Sequence, residues 1–227
     1  MKQTEMIMPL NKELVDVMVG LDRNVSKKII EDNHYSHKIP QAIKYRFGLY
    51  YDGILVGVAI FSVPANRYSI TSIFEDETQH IGIELSRFYT DDDTPKNFES
   101  CALNKCLNYL KKNSKYDVVI SYADPNFGHA GYLYQALNGY YIGQTEKEVR
   151  YLLDGKLITR RGLGRSKNDT EREHADRIIS RGGQKVYMNG KYKYLFFIYS
   201  SDRKDDLIDK LKFDMSYQSD YPKCQEE

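Results

Sequence analysis

The chain has 227 residues, of which 41% are hydrophobic and 29% charged, and its formal net charge is +1. That places it among globular proteins of one substantial domain or two small ones. No apolar run approaches the roughly 20 residues that span a bilayer, so no membrane contact is expected. No signal peptide opens the sequence, and Cys101, Cys106 and Cys224 form no CxxC pair, so a cytoplasmic chain without a zinc ribbon or disulfide framework is expected.

The small net charge hides a segregation. Between Phe74 and Glu99 eight Asp and Glu face only Arg87 and Lys96; between Lys156 and Lys193 eleven Lys and Arg face four acids. A local basic stretch suits a phosphate backbone. The chain also holds 20 tyrosines and no tryptophan, and tyrosine can stack on bases.

In chain order, Met1–Leu10 reads as a first strand or a loose lead. Asn24 or Ser26 caps a helix through Ile29 and Ile30 that ends near Asn33. Tyr45–Tyr51 and Ile54–Phe61 flank Asp52-Gly53, a strong hairpin signal. Residues from Arg67 to Gln79 read as polar and irregular. His80–Tyr89 is a strand in which alternation puts Ile81, Ile83, Leu85 and Arg87 on one face, Glu84 and Phe88 on the other. Thr94-Pro95 predicts the start of a helix with an apolar stripe of Phe98, Cys101, Ala102, Cys106, Leu107 and Leu110.

Val118–Ile120 is a short buried strand that runs into Asp124-Pro125, a turn, and a short helix with Tyr132, Leu133, Ala136 and Leu137 at helical spacing, stopped by Asn138-Gly139. Tyr140 begins the next strand. Asp154-Gly155 and Asn189-Gly190 each predict a further hairpin, the second with the best turn signal in the chain. Thr170–Arg181 and Lys204–Leu211 read as short helices, and the tail beyond Tyr217 as frayed. With no internal repeat and no low-complexity linker, residues 1–227 read as a single domain. The order of elements predicts an α+β fold with a mixed, mostly antiparallel sheet flanked by helices. It fits the GNAT acyltransferase architecture, in which two adjacent central strands splay apart.

Three clusters can carry chemistry. His34-Tyr35-Ser36-His37 follows the first helix; its histidines can serve as metal ligands or a general base, or simply pack on the sheet. Arg87 can clamp an anion bidentately, with Ser100 at the start of a helix nearby. Asp124 sits where a strand gives way to a helix, the usual ligand position in such sheets, or it merely caps the turn; Tyr134 can point back into the same cleft or belong to the core. The loop after the middle strand, Asp91–Phe98, has no glycine and three aspartates, which argues against a standard coenzyme A pyrophosphate clamp.

Taken in order, His34-Tyr35-Ser36, Leu85-Ser86-Arg87, Tyr122-Ala123-Asp124, Gly128-His129 and Tyr134-Gln135-Ala136 resemble the Mom family of phage DNA-modification proteins. The resemblance implies a divergent GNAT fold and conversion of adenine in double-stranded DNA to N6-carbamoylmethyladenine, which protects phage DNA from restriction. It implies catalytic roles for His34, Tyr35 and Asp124, and donor-binding roles for Arg87, Ser100 and Tyr134. Iron is linked to the family, with His34 as its candidate ligand here. The donor, acetyl-coenzyme A or another acyl or aminoacyl carrier, stays open, as does the oligomeric state, a homodimer being one option. Arg160, Arg161, Arg165, Lys167, Arg181 and Lys185 are the expected phosphate contacts. Two other readings compete: a conventional N-acetyltransferase acting on a small amine or protein, and a non-enzymatic DNA-binding protein.

Overall fold

The computed structural model describes residues 9–158, 170–199, 201–213 and 221–223. Among the described residues the first strand is β1 (Val15–Val19); the strand or lead expected over Met1–Leu10 lies, but for Pro9 and Leu10, outside them. Helix α1 (Arg23–Asn33) ends where expected but is capped earlier, by Asp22, whose carboxylate accepts from the backbone N–H groups of Asn24 and Val25. β2 (Ile43–Tyr51) and β3 (Ile54–Ser62) form the expected hairpin, with Asp52 and Gly53 both at positive φ. The connection to β4 (Gly82–Thr90) is irregular, yet Ile70, Ile73 and Phe74 in it are buried, so it is core as well as loop.

Helix α2 (Phe98–Asn113) starts later than Thr94-Pro95 suggests. The Thr94 hydroxyl donates to the Asp91 carbonyl at 3.0 Å, and Asn97 takes a left-handed conformation, so a closed turn precedes the helix. There follow β5 (Val118–Ala123), α3 (Tyr132–Ala136), β6 (Tyr140–Gln144), β7 (Glu148–Leu153) and β8 (Lys156–Ile158). The Asp154-Gly155 hairpin joins the last two as expected. Helix α4 (Glu171–Ser180) carries a reciprocal capping box between Thr170 and Glu173; β9 (Gln184–Met188), β10 (Tyr192–Phe197) and α5 (Ser201–Asp209) complete the chain of elements.

Seven strands form one sheet in the order β1-β2-β3-β4-β5-β10-β6, and β8-β7-β9 form a second. In the large sheet only β4 and β5 run parallel, with α2 as their crossover. The alternation of β5 shows how the layers arise: Val119 faces the core that holds Phe98, Ala102, Leu103 and Cys106 of α2, while Val118 and Ile120 face Ile70, Phe74 and Leu207. Ile30 of α1 packs on Val58 and Ile60 of β3. The fold class expected from the sequence is the one found, α+β with a mostly antiparallel sheet.

Two features of strand pairing set up the site. The β4–β5 ladder stops at Leu85 opposite Ser121, whose hydroxyl donates to the Leu85 carbonyl at 3.4 Å. Beyond that tie β4 stays with β3 and β5 with β10, so a gap opens between them. At the same level β4 bulges: Phe61 of β3 faces Leu85 but Ile60 faces Arg87, which leaves Ser86 as the extra residue. The bulge overturns the expected alternation. Leu85 and Phe88 now share the α2 core, and Arg87 is turned away from Leu85.

Asn189-Gly190 is not a hairpin. β9 pairs with β7 in the small sheet, and β10 pairs with β5 and β6 in the large one, so the dipeptide is a corner where the chain changes sheets. Glycine is required there by space: a Cβ on Gly190 would lie 1.8 Å from the Thr145 carbonyl oxygen. That oxygen is backbone, pinned by the Thr145 N–H donating to Lys191 O at 2.9 Å. Gly190→Ala is therefore expected to destabilise by at least about 2 kcal/mol, at the upper end of overpacking costs, read as a fall in thermal midpoint. The tail also differs from expectation. Tyr221 packs against the α2-side core and its hydroxyl donates to Gly139 O at 2.9 Å, while Gln135 donates to Pro222 O at 3.0 Å.

Candidate active site

The gap between β4 and β5 opens into a cavity of about 280 Å³. Its walls are His34 and Tyr35 beyond α1, Leu85–Phe88 of β4, Tyr122–Asp124 at the end of β5, and the segment Gly128–Tyr134 leading into α3. Residues distant in sequence meet here because the parallel ladder ends early and α1 finishes above the same edge.

Asp124 is 2% exposed. Its two oxygens are engaged differently, one as the turn cap and the other in an ion pair. Oδ1 accepts from the Asn126 N–H at 3.1 Å and the Asn126 side-chain amide at 2.7 Å, which is the turn cap. Oδ2 faces the Lys191 ammonium at 3.4 Å. Asn126 is itself held by the sheet corner, donating to Asn189 O at 3.0 Å and accepting from Asn189 N at 2.9 Å. The carboxylate is thus anchored from the corner before β10 as well as from the end of β5.

His34 closes α1, its backbone N–H donating to Ile30 O, and its ring is buried. The Ser36 backbone N–H donates to His34 Nδ1 at 3.1 Å. A backbone N–H can only donate, so Nδ1 is the bare nitrogen and Nε2 carries the proton. Burial lowers the imidazole pKa from 6.5 to about 4, helped by the positive charge of Arg87 and by His129, His37 and Lys191. At neutral pH His34 is an uncharged hydrogen-bond donor to the cavity. This does not suit the general-base use considered from sequence, and it does not fit a metal. Coordination through Nε2 would move the proton to Nδ1, where the Ser36 hydroxyl at 2.9 Å could accept it only against the Ser36 N–H already directed at that nitrogen from 3.1 Å. His37 does not join it: the helix ends at Asn33, and the His37 ring is exposed and bonded to Glu31 O at 2.8 Å. Among the described residues no group of three or more His, Cys, Asp or Glu is placed to hold a metal ion.

Tyr35 stacks on His34 with ring centres 4.3 Å apart. Its phenol pKa is raised, by burial first and then by the charge of Asp124. Arg87 donates from Nε to Lys38 O at 2.8 Å, which ties β4 to the loop after α1, and from one terminal nitrogen to Ser86 O at 2.5 Å, while the residue lines the cavity. Tyr134 is hydrogen-bonded to Ser121 at the point of strand separation, and burial pushes its phenol up to about 12. Its ring lies against Tyr194 and Phe196, so it is a core residue that also borders the cavity.

The structure therefore brings His34, Tyr35, Arg87, Asp124 and Tyr134 to one cavity. Ser100 is elsewhere. It lines a second cleft of about 480 Å³ beside Asp91, Asp92 and Lys96, and its hydroxyl is turned onto its own helix, donating to Asn97 O at 3.0 Å. Glu99, Tyr132 and Leu133 border both spaces. Arg181 ends α4, and Lys185 lies on β9 with its ammonium over the Tyr187 ring; both are exposed. Arg160, Arg161, Arg165 and Lys167 lie outside the described residues. Sequence reasoning missed Asn126 and Lys191, whose approach to Asp124 depends on the sheet corner, and Phe127, whose ring meets Tyr35 at 4.6 Å. No local pattern signals these contacts.

The Mom protein family model matches residues 17–223. The methylcarbamoylase Mom of Escherichia phage Mu is 28% identical over 193 residues, 79% of this chain and 74% of that protein. Among solved structures, spermidine N-acetyltransferase from Vibrio cholerae aligns with a TM-score of 0.47 at 10% identity, over 82% of this chain and 95% of that one. N-acetyltransferase PseH from Campylobacter jejuni aligns at 0.42 and 12%, over 81% and 98%. These two likenesses are too distant to add to what the strand pairing shows. The family match spans nearly the whole chain, and with the histidine–tyrosine pair, the arginine and the carboxylate gathered at one strand gap, the chain belongs to the Mom protein family.

Proposed function

We propose that this protein is a transferase that modifies adenine in double-stranded DNA, placing a carbamoylmethyl group on N6 and so shielding phage DNA from restriction. The phage Mu relative is named a methylcarbamoylase, and the observation that carries the reading to this chain is the buried carboxylate at the head of an open strand gap. Adenine N6 is a weak nucleophile because its lone pair is delocalised into the ring. Asp124 accepts the N6–H hydrogen bond and takes the proton as the N6–carbon bond forms. The bond from that carbon to the donor's leaving atom breaks, and the leaving group keeps its electron pair. The Tyr134 hydroxyl, kept protonated by burial, is assigned a hydrogen bond to the donor, and the leaving group departs as its anion to be protonated by solvent. Arg87 holds the donor's carbonyl or anionic end. Holding both partners in one walled space contributes the proximity term. Because His34 does not suit a metal, no step is assigned to iron.

N6 lies at the major-groove edge but is paired to thymine within the duplex, so flipping the base outward is the route by which it enters a walled cavity of this size. Arg181 and Lys185, with the four basic residues of 160–167, are proposed to hold the phosphates, which makes binding fall with salt. Nucleoside mass spectrometry on DNA from cells expressing the protein tests the reading: adenosine heavier by one carbamoylmethyl group is expected, and unmodified adenosine throughout sinks it.

The open β4–β5 gap also favours a second reading, a conventional N-acetyltransferase with acetyl-coenzyme A in the gap. The cleft beyond it is lined by Asp91, Asp92 and Glu99, which repel a pyrophosphate. Calorimetry separates the two, since the second reading requires tight coenzyme A binding and indifference to DNA.

A further inference from the structure

Building on the reading above, we propose that Phe127 and His129, with Tyr35, form the stacking subsite that receives the flipped purine ring. Tyr35 and Phe127 are 37% and 40% exposed, and His129 is exposed too, although Tyr35 touches both other rings, meeting Phe127 at 4.6 Å and His129 at 5.3 Å. Tyr35 and His129 line the cavity, whose walls mix polar and apolar groups, and Phe127 adjoins it through its contact with Tyr35, so the three rings form an aromatic rim beside it. A cluster of rings open to water at the edge of a walled space is an arrangement for a planar ligand, because every base offers a π-face to an aromatic side chain.

The rim is built as one piece with the carboxylate. The Asp124 carbonyl accepts from the Phe127 N–H at 3.1 Å and from the His129 N–H at 3.2 Å. The 3-10 turn between them, Pro125–Phe127, is stiffened by Pro125 and closed by Gly128 at φ 74°. A base stacked on this turn is thereby placed at a set depth relative to the carboxylate. The polar groups then select among bases. Asp124 offers an acceptor and His34 Nε2–H a donor, which match the exocyclic amine and ring nitrogen on the Watson–Crick edge of adenine or cytosine and mismatch the Watson–Crick edges of guanine and thymine. The larger face of a purine gains more from the rim than a pyrimidine does.

The absence of tryptophan from the sequence makes the rim directly observable. Phe127→Trp places a single indole against Tyr35, which lines the cavity. The probes are a duplex with one adenine opposite an abasic site, which extrudes readily, and a control duplex abasic at both positions. Indole quenching by the adenine duplex well above the control is expected, with both duplexes bound as judged by fluorescence polarisation. In cells, Phe127→Ala is expected to lower modified adenine about five-fold or more, and Phe127→Tyr to restore it. Equal quenching by both duplexes, or wild-type levels of modified adenine from Phe127→Ala, overturns the subsite. Should Phe127→Ala fail to fold, the quenching comparison decides alone. Absence of modified adenine from the wild type counts against the proposed reaction, and the quenching result still judges the rim.

Discussion

Asp124→Asn is expected to lower adenine modification by about 10²- to 10⁴-fold while leaving the protein folded. Asparagine keeps the shape of the side chain and one oxygen for the cap of the Pro125 turn, so the Asn126 contacts survive in the variant. What it loses is the negative charge and the capacity to take a proton. The Lys191 ammonium loses its partner, but that side chain is 38% exposed and water replaces the pairing at small cost. Nucleoside mass spectrometry reads the activity and thermal unfolding the fold. Wild-type modification by Asp124→Asn would remove the carboxylate from the reaction. A collapse of stability with the activity would mean that its task is structural, and Asp124→Glu would not then distinguish the two.

The second large effect concerns acid. His34 titrates near 6.5 in an unfolded chain and near 4 in the fold, because burial and the nearby Arg87 disfavour the imidazolium. The unfolded state therefore binds the proton first. Stability from this residue is complete above about pH 6.5 and is lost as pH falls toward 4. At about 1.4 kcal/mol per pH unit, the loss approaches 3 kcal/mol across that window. Denaturant unfolding at stepped pH should show it, and His34→Gln should flatten the curve there while keeping a side-chain amide near Ser36. An unchanged slope in His34→Gln would assign the acid sensitivity to another group. The same variant should lose modification at pH 7, since its amide does not reproduce the Nε2–H direction.

The elements legible in the sequence were those whose cause is local. Asp52-Gly53 and Asp154-Gly155 can take the left-handed turn wherever they are placed, and both hairpins form. The α2 stripe was readable from its period, apart from Leu103, and the end of α1 at Asn33 from the polar run beyond Ile30. Asn189-Gly190 carries an equally strong signal and makes no hairpin, since its flanking strands find better partners in two different sheets. Arg87 was placed on the wrong face because alternation assumes an unbroken strand, and the bulge at Ser86 inserts one residue. Ser100 was grouped with Arg87 from chain proximity, although the left-handed Asn97 and the turn before it carry it to the neighbouring cleft.

By itself the sequence determined the residue types available for chemistry, the α+β order of elements and the resemblance that the family match bears out. These follow from side-chain identity and from short-range periodicity, which act within a few residues. The tertiary structure alone decided that the β4–β5 ladder ends at Leu85 and Ser121, that Lys191 and Asn126 both reach Asp124, and that His34 is a neutral donor. Each of these depends on which strands share hydrogen bonds and on how deeply a ring is buried. Those are properties of the assembled layers, and no stretch of chain specifies them in isolation.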